Sequence, residues 1–184
     1  MVRSEERPEG LEYRDDFVSA DEERDLLSVL SSMEFRAVVM RGQAARRTVR
    51  HFGLDYDYET GELVPADPLP AAMLWLRDRS AALMEREPDD LAQILVSRYP
   101  PGAGIGWHRD APMFGSRIVG VSLLAPCRMR FQRTVGGERS VAELELAPRS
   151  AYLLSGKARW SWQHSIPATK ALRYSVTFRT LKRG

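Results

Sequence analysis

The sequence predicts a mainly β protein of the α+β class, a jelly roll buttressed by helices near its N-terminus. Two helical patterns precede residue 90, and short apolar or alternating segments separated by Gly- and Pro-containing turns follow it. Hydrophobic residues make up 43% and charged residues 28% of the 184 residues, a globular composition whose length fits one domain.

The N-terminal part predicts an arm followed by two helices. Residues 1–16 are highly charged, so we expect a flexible arm there and a single domain over 17–184. Ser19 and Glu22 have the spacing of a capping box, and apolar residues at helical spacing follow, which predicts a helix over about 20–32. A segment beginning at Pro70 predicts a second helix over about 70–87.

Beyond residue 90 the hydrophobic pattern has the period of β-strands. The segment 127–132 alternates apolar and polar residues and is the cleanest period-two stretch of the chain. The other segments with strand character are 91–99, 118–124, 142–146, 151–154 and 173–179. Short strands in this number favour a sandwich or a jelly roll.

Charge and cysteine content exclude several classes. The 27 basic and 25 acidic residues leave a net charge of +2, which by itself does not indicate a nucleic-acid binder. A single cysteine, Cys127, excludes an internal disulfide and a CxxC zinc site, which fits a reducing cytoplasm. No apolar run reaches the ~18 residues of a membrane span. We therefore expect a cytoplasmic protein with no membrane partner.

Three residues have the pattern of a metal site. His108 and Asp110 are one residue apart, so on an extended strand their side chains share a face, about 7 Å apart. His164 follows a predicted strand and would complete a set of two histidines and one carboxylate. Such a set leaves coordination positions open and suits non-haem Fe(II) that activates O₂. Each part taken alone is more often structural than functional.

A polar face on the last predicted strand adds to this pattern. Arg173, Ser175, Thr177 and Arg179 alternate with apolar residues. In solvent such a face has no special meaning, whereas inside a jelly roll it lines a pocket where arginines can hold a dicarboxylate. A His-x-Asp, a distant His and a late Arg on a strand, in this order, describe a 2-oxoglutarate-dependent oxygenase.

The chain resembles the AlkB family of Fe(II)/2-oxoglutarate dioxygenases, whose core is a double-stranded β-helix (jelly roll). The matching segments extend over nearly the whole chain after residue 15: 16–18, 51–56, 98–102, 108–110, 118–124, His164 and 173–179. The pattern of 173–179, with two arginines six residues apart, is more specific to the family than His-x-Asp is.

The resemblance implies two groups of site residues. The Fe(II) ligands, which are also the catalytic residues, are His108, Asp110 and His164. The residues that bind 2-oxoglutarate are Tyr99, Arg173, Ser175 and Arg179. In this scheme Arg173 pairs with the distal carboxylate, Tyr99 donates a hydrogen bond to it, and Arg179 supports the metal-proximal end. Ser175 stands where the best-known repair enzymes carry Asn.

The resemblance also implies a reaction, the oxidative demethylation of alkylated bases in DNA or RNA, with O₂ as co-substrate and a single-stranded or flipped base as substrate. The alternatives are a hydroxylase or demethylase of a protein or small molecule, and a non-enzymatic jelly-roll metal-binding module. The stretch 159–164 is more similar to relatives that act on tRNA or protein than to DNA-repair members. We expect a monomer.

Residues near the substrate are predicted less sharply. Candidates for the nucleic-acid side are Arg41, Arg46, Arg47, Arg50, His51, Phe52, Tyr56 and Tyr58, with Arg128 and Arg130 as further basic residues. Trp107, Trp160 and Trp162 lie beside the metal ligands in sequence and are candidate pocket walls. Each aromatic residue is equally well explained as part of the core.

Overall fold

The computed structural model describes residues 2–4, 7–40, 43–57 and 60–182. The strands are β1 (Val2–Ser4), β2 (Leu11–Arg14), β3 (Arg36–Met40), β4 (Gln43–Phe52), β5 (Leu54–Tyr56), β6 (Leu63–Pro65), β7 (Gln93–Tyr99), β8 (Ile105–His108), β9 (Phe114–Leu123), β10 (Cys127–Val135), β11 (Glu138–Leu146), β12 (Ala151–Leu154), β13 (Gln163–Ile166) and β14 (Arg173–Leu181). The helices are α1 (Ala20–Ser31), α2 (Leu74–Leu83) and α3 (Gly156–Trp160).

Two sheets carry the architecture. The large sheet has the strand order β2-β12-β9-β14-β7-β4-β3, the small sheet has the order β1-β11-β10-β13-β8, and β5 pairs with β6. Ile118 and Leu154 of the large sheet pack against Met129 and Phe131 of the small sheet. This arrangement confirms the predicted jelly roll. In the described part of the chain, no helix is long and apolar enough to cross a membrane.

The N-terminal helices cover the outer face of the large sheet, as predicted. Leu26 of α1 and Leu76 of α2 pack in one cluster with Val176 and Phe178 of β14. The capping box at the start of α1 is present, since the Ser19 hydroxyl accepts from the Glu22 amide and the Glu22 carboxylate accepts from the Ser19 amide.

The second helix is shorter than the predicted 70–87. It begins with a 3₁₀ turn at Ala71–Met73 and continues as α2 to Leu83. Glu85 has a positive φ of 53°, a conformation that ends a right-handed helix. The apolar spacing alone does not reveal this stop.

The N-terminal arm differs from the prediction. The expected flexible segment 1–16 contains β2, which pairs with β12 at the edge of the large sheet. Leu11 is buried there, and the carbonyl of Gly10 accepts hydrogen bonds from the amide and hydroxyl of Ser155. The high charge of the segment conceals one apolar anchor, so part of the predicted arm belongs to the fold that was expected to begin at residue 17.

Strand β14 lies at the centre of the large sheet, between β9 and β7. Its apolar face, with Val176 and Phe178, meets the helices. Its polar face, with Arg173, Ser175 and Arg179, is buried as well. The polar face of the predicted strand therefore points into the jelly roll and not into solvent.

Candidate metal centre and buried arginines

The structure brings the three predicted metal ligands together. His108, at the end of β8, is the register partner of His164 on β13, and their ring centroids are 4.3 Å apart. Asp110 follows two residues after β8, with its Oδ2 atom 3.6 Å from Nε2 of His164. One candidate ligand atom from each residue lies within 4.8 Å of the others. We refer to these three residues as the metal trio.

Both histidines of the metal trio are set up as neutral ligands. Burial lowers the pKa of His108, and it lowers the pKa of His164 to about 3, where the charge of His108 adds to the effect. The Nδ1–H of His108 lies 2.9 Å from the carbonyl of Gly106 and can donate to it, which leaves the Nε2 lone pair free. At neutral pH both rings can therefore donate an electron pair to a cation.

Arg179 holds the carboxylate of the metal trio. Its Nε donates to Oδ1 of Asp110 at 2.8 Å, its Nη2 bonds the same oxygen, and its Nη1 donates to Gln93 at 2.8 Å. Burial by itself would raise the pKa of Asp110, but the charges of Arg179, His164 and His108 and the hydrogen bonds from Arg179 together outweigh burial, and the pKa falls below its usual value. Arg179 thus helps to keep Asp110 ionised and leaves Oδ2 for the metal trio. The cofactor contact that the resemblance implies for Arg179 stays a prediction.

Arg159 fixes the main chain behind Asp110. This arginine of α3 is 2% exposed, and its guanidinium donates to the carbonyls of Gly115, Asp110, Ala111 and Phe114 at 3.1, 3.1, 2.9 and 3.2 Å. It therefore ties the segment 110–115 to the helix that precedes His164. The sequence contains only a weak signal for this role, an arginine five residues before the second histidine.

Arg173 forms a second polar centre on the same inner face. It is 1% exposed, its Nη2 donates to Oγ of Ser122 at 2.9 Å, and its guanidinium lies over the Tyr99 ring, 4.7 Å from the centroid. Its Nε and Nη1 atoms have no hydrogen-bond partner within the described ranges. A buried cation with two free donors matches a carboxylate. Tyr99 supports this cation through its ring face.

Neighbouring polar groups complete this centre. Ser97, Ser175 and Ser122 are register partners across β7, β14 and β9, so three buried hydroxyls stand side by side. Tyr152 reaches over Gly120, where an added Cβ would lie 2.4 Å from the tyrosine hydroxyl. Burial, together with the charge of Asp110, raises the pKa of Tyr152. The sequence analysis did not identify Ser122 and Tyr152, because each lies within an apolar strand segment and belongs to no recognisable motif.

The tryptophans do not form the predicted pocket wall. Trp107 precedes the inward-facing His108 on β8, so its side chain lies on the outer face of the small sheet. The Arg130 guanidinium lies over the Trp107 ring, 5.1 Å from the ring centroid. Trp162 is buried in the core between the sheets. Trp160 is 40% exposed beside Arg159.

Five of the candidates on the nucleic-acid side fall into three groups. Arg41 and Tyr58 lie outside the described residues. Phe52 belongs to the core under the helices, and Arg50 lies over its ring and pairs with Asp67. Tyr56 is connected to the metal trio indirectly: its ring meets Phe114 edge-on at 6.2 Å, Phe114 lies under Arg179 at 5.0 Å, and Arg179 bonds Asp110.

Comparison with known proteins identifies the family. The family model of the 2OG-Fe(II) oxygenase superfamily matches residues 10–179. A relative from Arabidopsis thaliana, named alkylated DNA repair protein ALKBH8 homolog, is 31% identical, covering 92% of this chain and 54% of the relative. A Xenopus tropicalis protein, named tRNA (carboxymethyluridine(34)-5-O)-methyltransferase alkbh8, is 29% identical, covering 92% of this chain and 27% of its own length. The chain thus spans about half or less of these two curated relatives.

Solved structures share the fold. The structure of OsALKBH1 has a TM-score of 0.68 at 15% identity and covers 96% of this chain and 99% of its own. An oxidoreductase of the 2OG-Fe(II) oxygenase family from Burkholderia pseudomallei has a TM-score of 0.63 at 15% identity, covering 94% of this chain and 85% of its own. The family model covers most of the chain and leads to one conclusion: the chain belongs to the 2OG-Fe(II) oxygenase superfamily.

Proposed function

We propose that His108, Asp110 and His164 hold the Fe(II) ion, that Arg173 binds the distal carboxylate of 2-oxoglutarate, and that the pocket oxidises an N-alkyl group on a base of DNA or RNA. The observation that carries the proposal is the position of the metal trio and of the unsatisfied Arg173 guanidinium on the inner faces of one jelly roll.

The residues of the pocket fit both groups that the family uses. Two neutral imidazoles and one carboxylate are the donor set of non-haem Fe(II) oxygenases. The two free donors of buried Arg173 fit a planar carboxylate, and the hydroxyls of Ser122 and Ser175 lie on the same face. In this proposal Tyr99 and Ser175 line the cofactor end, which is the role that the resemblance implies for them.

Each residue of the pocket has a physical task in this proposal. When bound, iron and 2-oxoglutarate supply with O₂ the oxidising power that hydroxylates a C–H bond, after which an N-hydroxymethyl group releases formaldehyde. Arg179 orients Asp110 and keeps it ionised, and Gly106 fixes the ring of His108. Arg173 orients the cofactor by bonds to its far end. Burial of Asp110 and His164 limits the access of bulk water to the reacting atoms.

Two observations support a nucleic-acid substrate. The printed names of the two curated relatives refer to DNA repair and to tRNA modification. In addition, half-buried Tyr56 contacts Phe114, which lies under Arg179, and from this position we propose that its ring stacks on a base flipped into the pocket. We assign Tyr56 as the stacking residue.

A substrate panel tests this proposal. The purified protein with Fe(II) and 2-oxoglutarate is offered N-methylated single-stranded DNA, duplex DNA, tRNA and methylated peptides, and formaldehyde and the loss of one methyl group are measured. We expect turnover of a nucleic acid. Tyr56→Ala should raise its KM about tenfold or more through lost stacking, while Tyr56→Phe retains turnover. Turnover of peptides alone would contradict the proposal and favour the protein demethylase.

A further inference from the structure

Arg47 is a buried cation that the proposed reaction does not use. It lies on β4 and is 6% exposed. Its Nη1 donates to Oγ of Ser97 at 3.1 Å, and no carboxylate in the described segments forms an ion pair with it. The neighbouring arginines differ: Arg46 is exposed and Arg50 pairs with Asp67. Of the three arginines Arg46, Arg47 and Arg50, Arg47 is therefore the one that is buried without a carboxylate partner in the described residues.

The positive charge of Arg47 acts on His108 of the metal trio and on His51. Burial is the main cause of the lowered pKa of both histidines, and the charge of Arg47 is a smaller cause that lowers the pKa further. Arg47 and His51 lie on β4, whereas Arg173 lies on β14, two strands away in the large sheet.

An unpaired buried guanidinium is costly. Removing a cation from water without an opposite charge costs free energy that a single bond to a hydroxyl does not restore. Arg47 cannot lose its proton to avoid this cost. An anion bound to Arg47 would offset this desolvation free energy. The buried guanidinium therefore favours binding of an anion in the pocket.

We propose that Arg47, held by Ser97, is an anion-binding position of the pocket that receives a carboxylate or phosphate oxygen of a molecule bound at the metal trio. This inference rests on the proposed function for the identity of that molecule. Two sources have the required chemistry: the phosphate next to a flipped nucleotide, and a carboxylate of 2-oxoglutarate.

The nucleotide phosphate is the favoured source. Arg173 already offers two free donors to the far carboxylate of the cofactor. Arg47 lies two strands away from Arg173, on β4, and β4 with its hairpin partner β3 forms the edge of the large sheet. A nucleic acid that approaches this edge places a backbone phosphate within reach of Arg47 and its base toward Tyr56.

Calorimetric titration of the full chain, loaded with Mn(II) in place of Fe(II), separates the two sources without any turnover. The probes are 2-oxoglutarate and, in its presence, a single-stranded trinucleotide with a central N-methylated base. A second trinucleotide carries neutral methylphosphonate links. The variants are Arg47→Met, Arg47→Lys and, as a matched control, Arg46→Met, which removes the exposed neighbour.

We expect Arg47→Met to weaken binding of the charged trinucleotide about tenfold or more, with the affinity for 2-oxoglutarate unchanged. The wild type should distinguish the two trinucleotides, Arg47→Met should not, and Arg47→Lys should restore part of the difference. A tenfold loss of 2-oxoglutarate affinity in Arg47→Met instead assigns the anion to the cofactor. If both affinities of Arg47→Met stay within about twofold of those of Arg46→Met, the proposal is overturned. This holds whether or not the wild type consumes 2-oxoglutarate.

Discussion

His51 shows how burial sets the charge of a side chain beside the pocket. Its Nδ1 lies 3.1 Å from Oδ1 of Asp55 and 3.2 Å from Nη2 of Arg36. Burial lowers the pKa of His51 to about 4, although the carboxylate of Asp55 acts to raise it. The ring is therefore neutral at pH 7. The sequence offered His51 only as one of several candidates on the nucleic-acid side, and the structure places it between the charged side chains of Arg36 and Asp55.

This pKa predicts how stability depends on pH. Between pH 6.5, the ordinary pKa, and about 4, the unfolded chain binds more protons at His51 than the folded chain does. The free energy of unfolding therefore falls as the pH falls through this window, by up to about 1.4 kcal/mol per pH unit for each such histidine. Urea unfolding of metal-free protein from about pH 7 to about pH 4.5 should show a steeper fall in wild type than in His51→Gln. Equal slopes would show that His51 does not titrate in this way.

At the residue scale, the chemistry of single positions could be predicted but their partners could not. The spacing of His108, Asp110 and His164 indicates a metal site by residue type alone. The bond from Arg179 to Asp110 joins residues 69 positions apart. Only the pairing of the strands decides such contacts, so the spacing of the arginines does not reveal that Arg179 bonds to Asp110.

At the element scale, α3 and the segment after Asp110 form one unit through Arg159. Its guanidinium donates to four carbonyl groups of 110–115 and so holds this segment against the helix. Because His164 follows α3 directly, Arg159 couples the two chain segments that bear the metal trio. It acts as a positioning residue and does not touch the metal.

Arg159→Met should therefore weaken metal binding. We expect about a tenfold or greater loss of Mn(II) affinity, the size of effect seen when groups behind metal ligands are removed. Calorimetric titration with Mn(II) measures this loss, and thermal melting without metal reports the change in stability. Lys157→Met in the same helix is the control, since its ammonium group pairs with Glu9 on the surface. A lowered melting temperature with unchanged Mn(II) affinity would reduce Arg159 to a structural role.

Elements with a clear period could be predicted, and short edge elements could not. The alternation at 127–132 corresponds to β10, and the pattern at 173–179 corresponds to β14. Strand β2 was not predicted, because a four-residue edge strand within a charged segment has too few apolar residues to show a period. Its place is decided by the open edge of β12, which is a tertiary feature.

At the scale of the whole molecule, the fold places more positive than negative side chains in the interior, which the overall composition does not reveal. Among the residues that the structure describes, four arginines are buried to 8% exposure or less: Arg47, Arg159, Arg173 and Arg179. Asp110 and Glu23 are the buried carboxylates in the described part of the chain. The net charge of +2 therefore says little about the interior, where the surplus of cations suits an anionic cofactor.

The layered architecture makes this interior available. Helices α1 and α2 seal the apolar face of the large sheet, so the polar face is left for the pocket. The two sheets pack together through Phe131 and Leu144 on the side of the small sheet that adjoins His164. The metal trio stands at the margin of that packed region, where ligands from two strands of the small sheet meet Arg179 of the large one.

The central claim is that this pocket converts 2-oxoglutarate to succinate with Fe(II) and O₂. The most direct measurement is succinate formation by the wild type and by His108→Ala under matched conditions, with melting temperatures recorded for both. We predict Fe(II)-dependent succinate formation by the wild type and a loss of about a hundredfold or more in the variant. Wild-type protein that forms no succinate with Fe(II), O₂ and 2-oxoglutarate present, or a folded His108→Ala variant that forms it at the wild-type rate, would contradict the account.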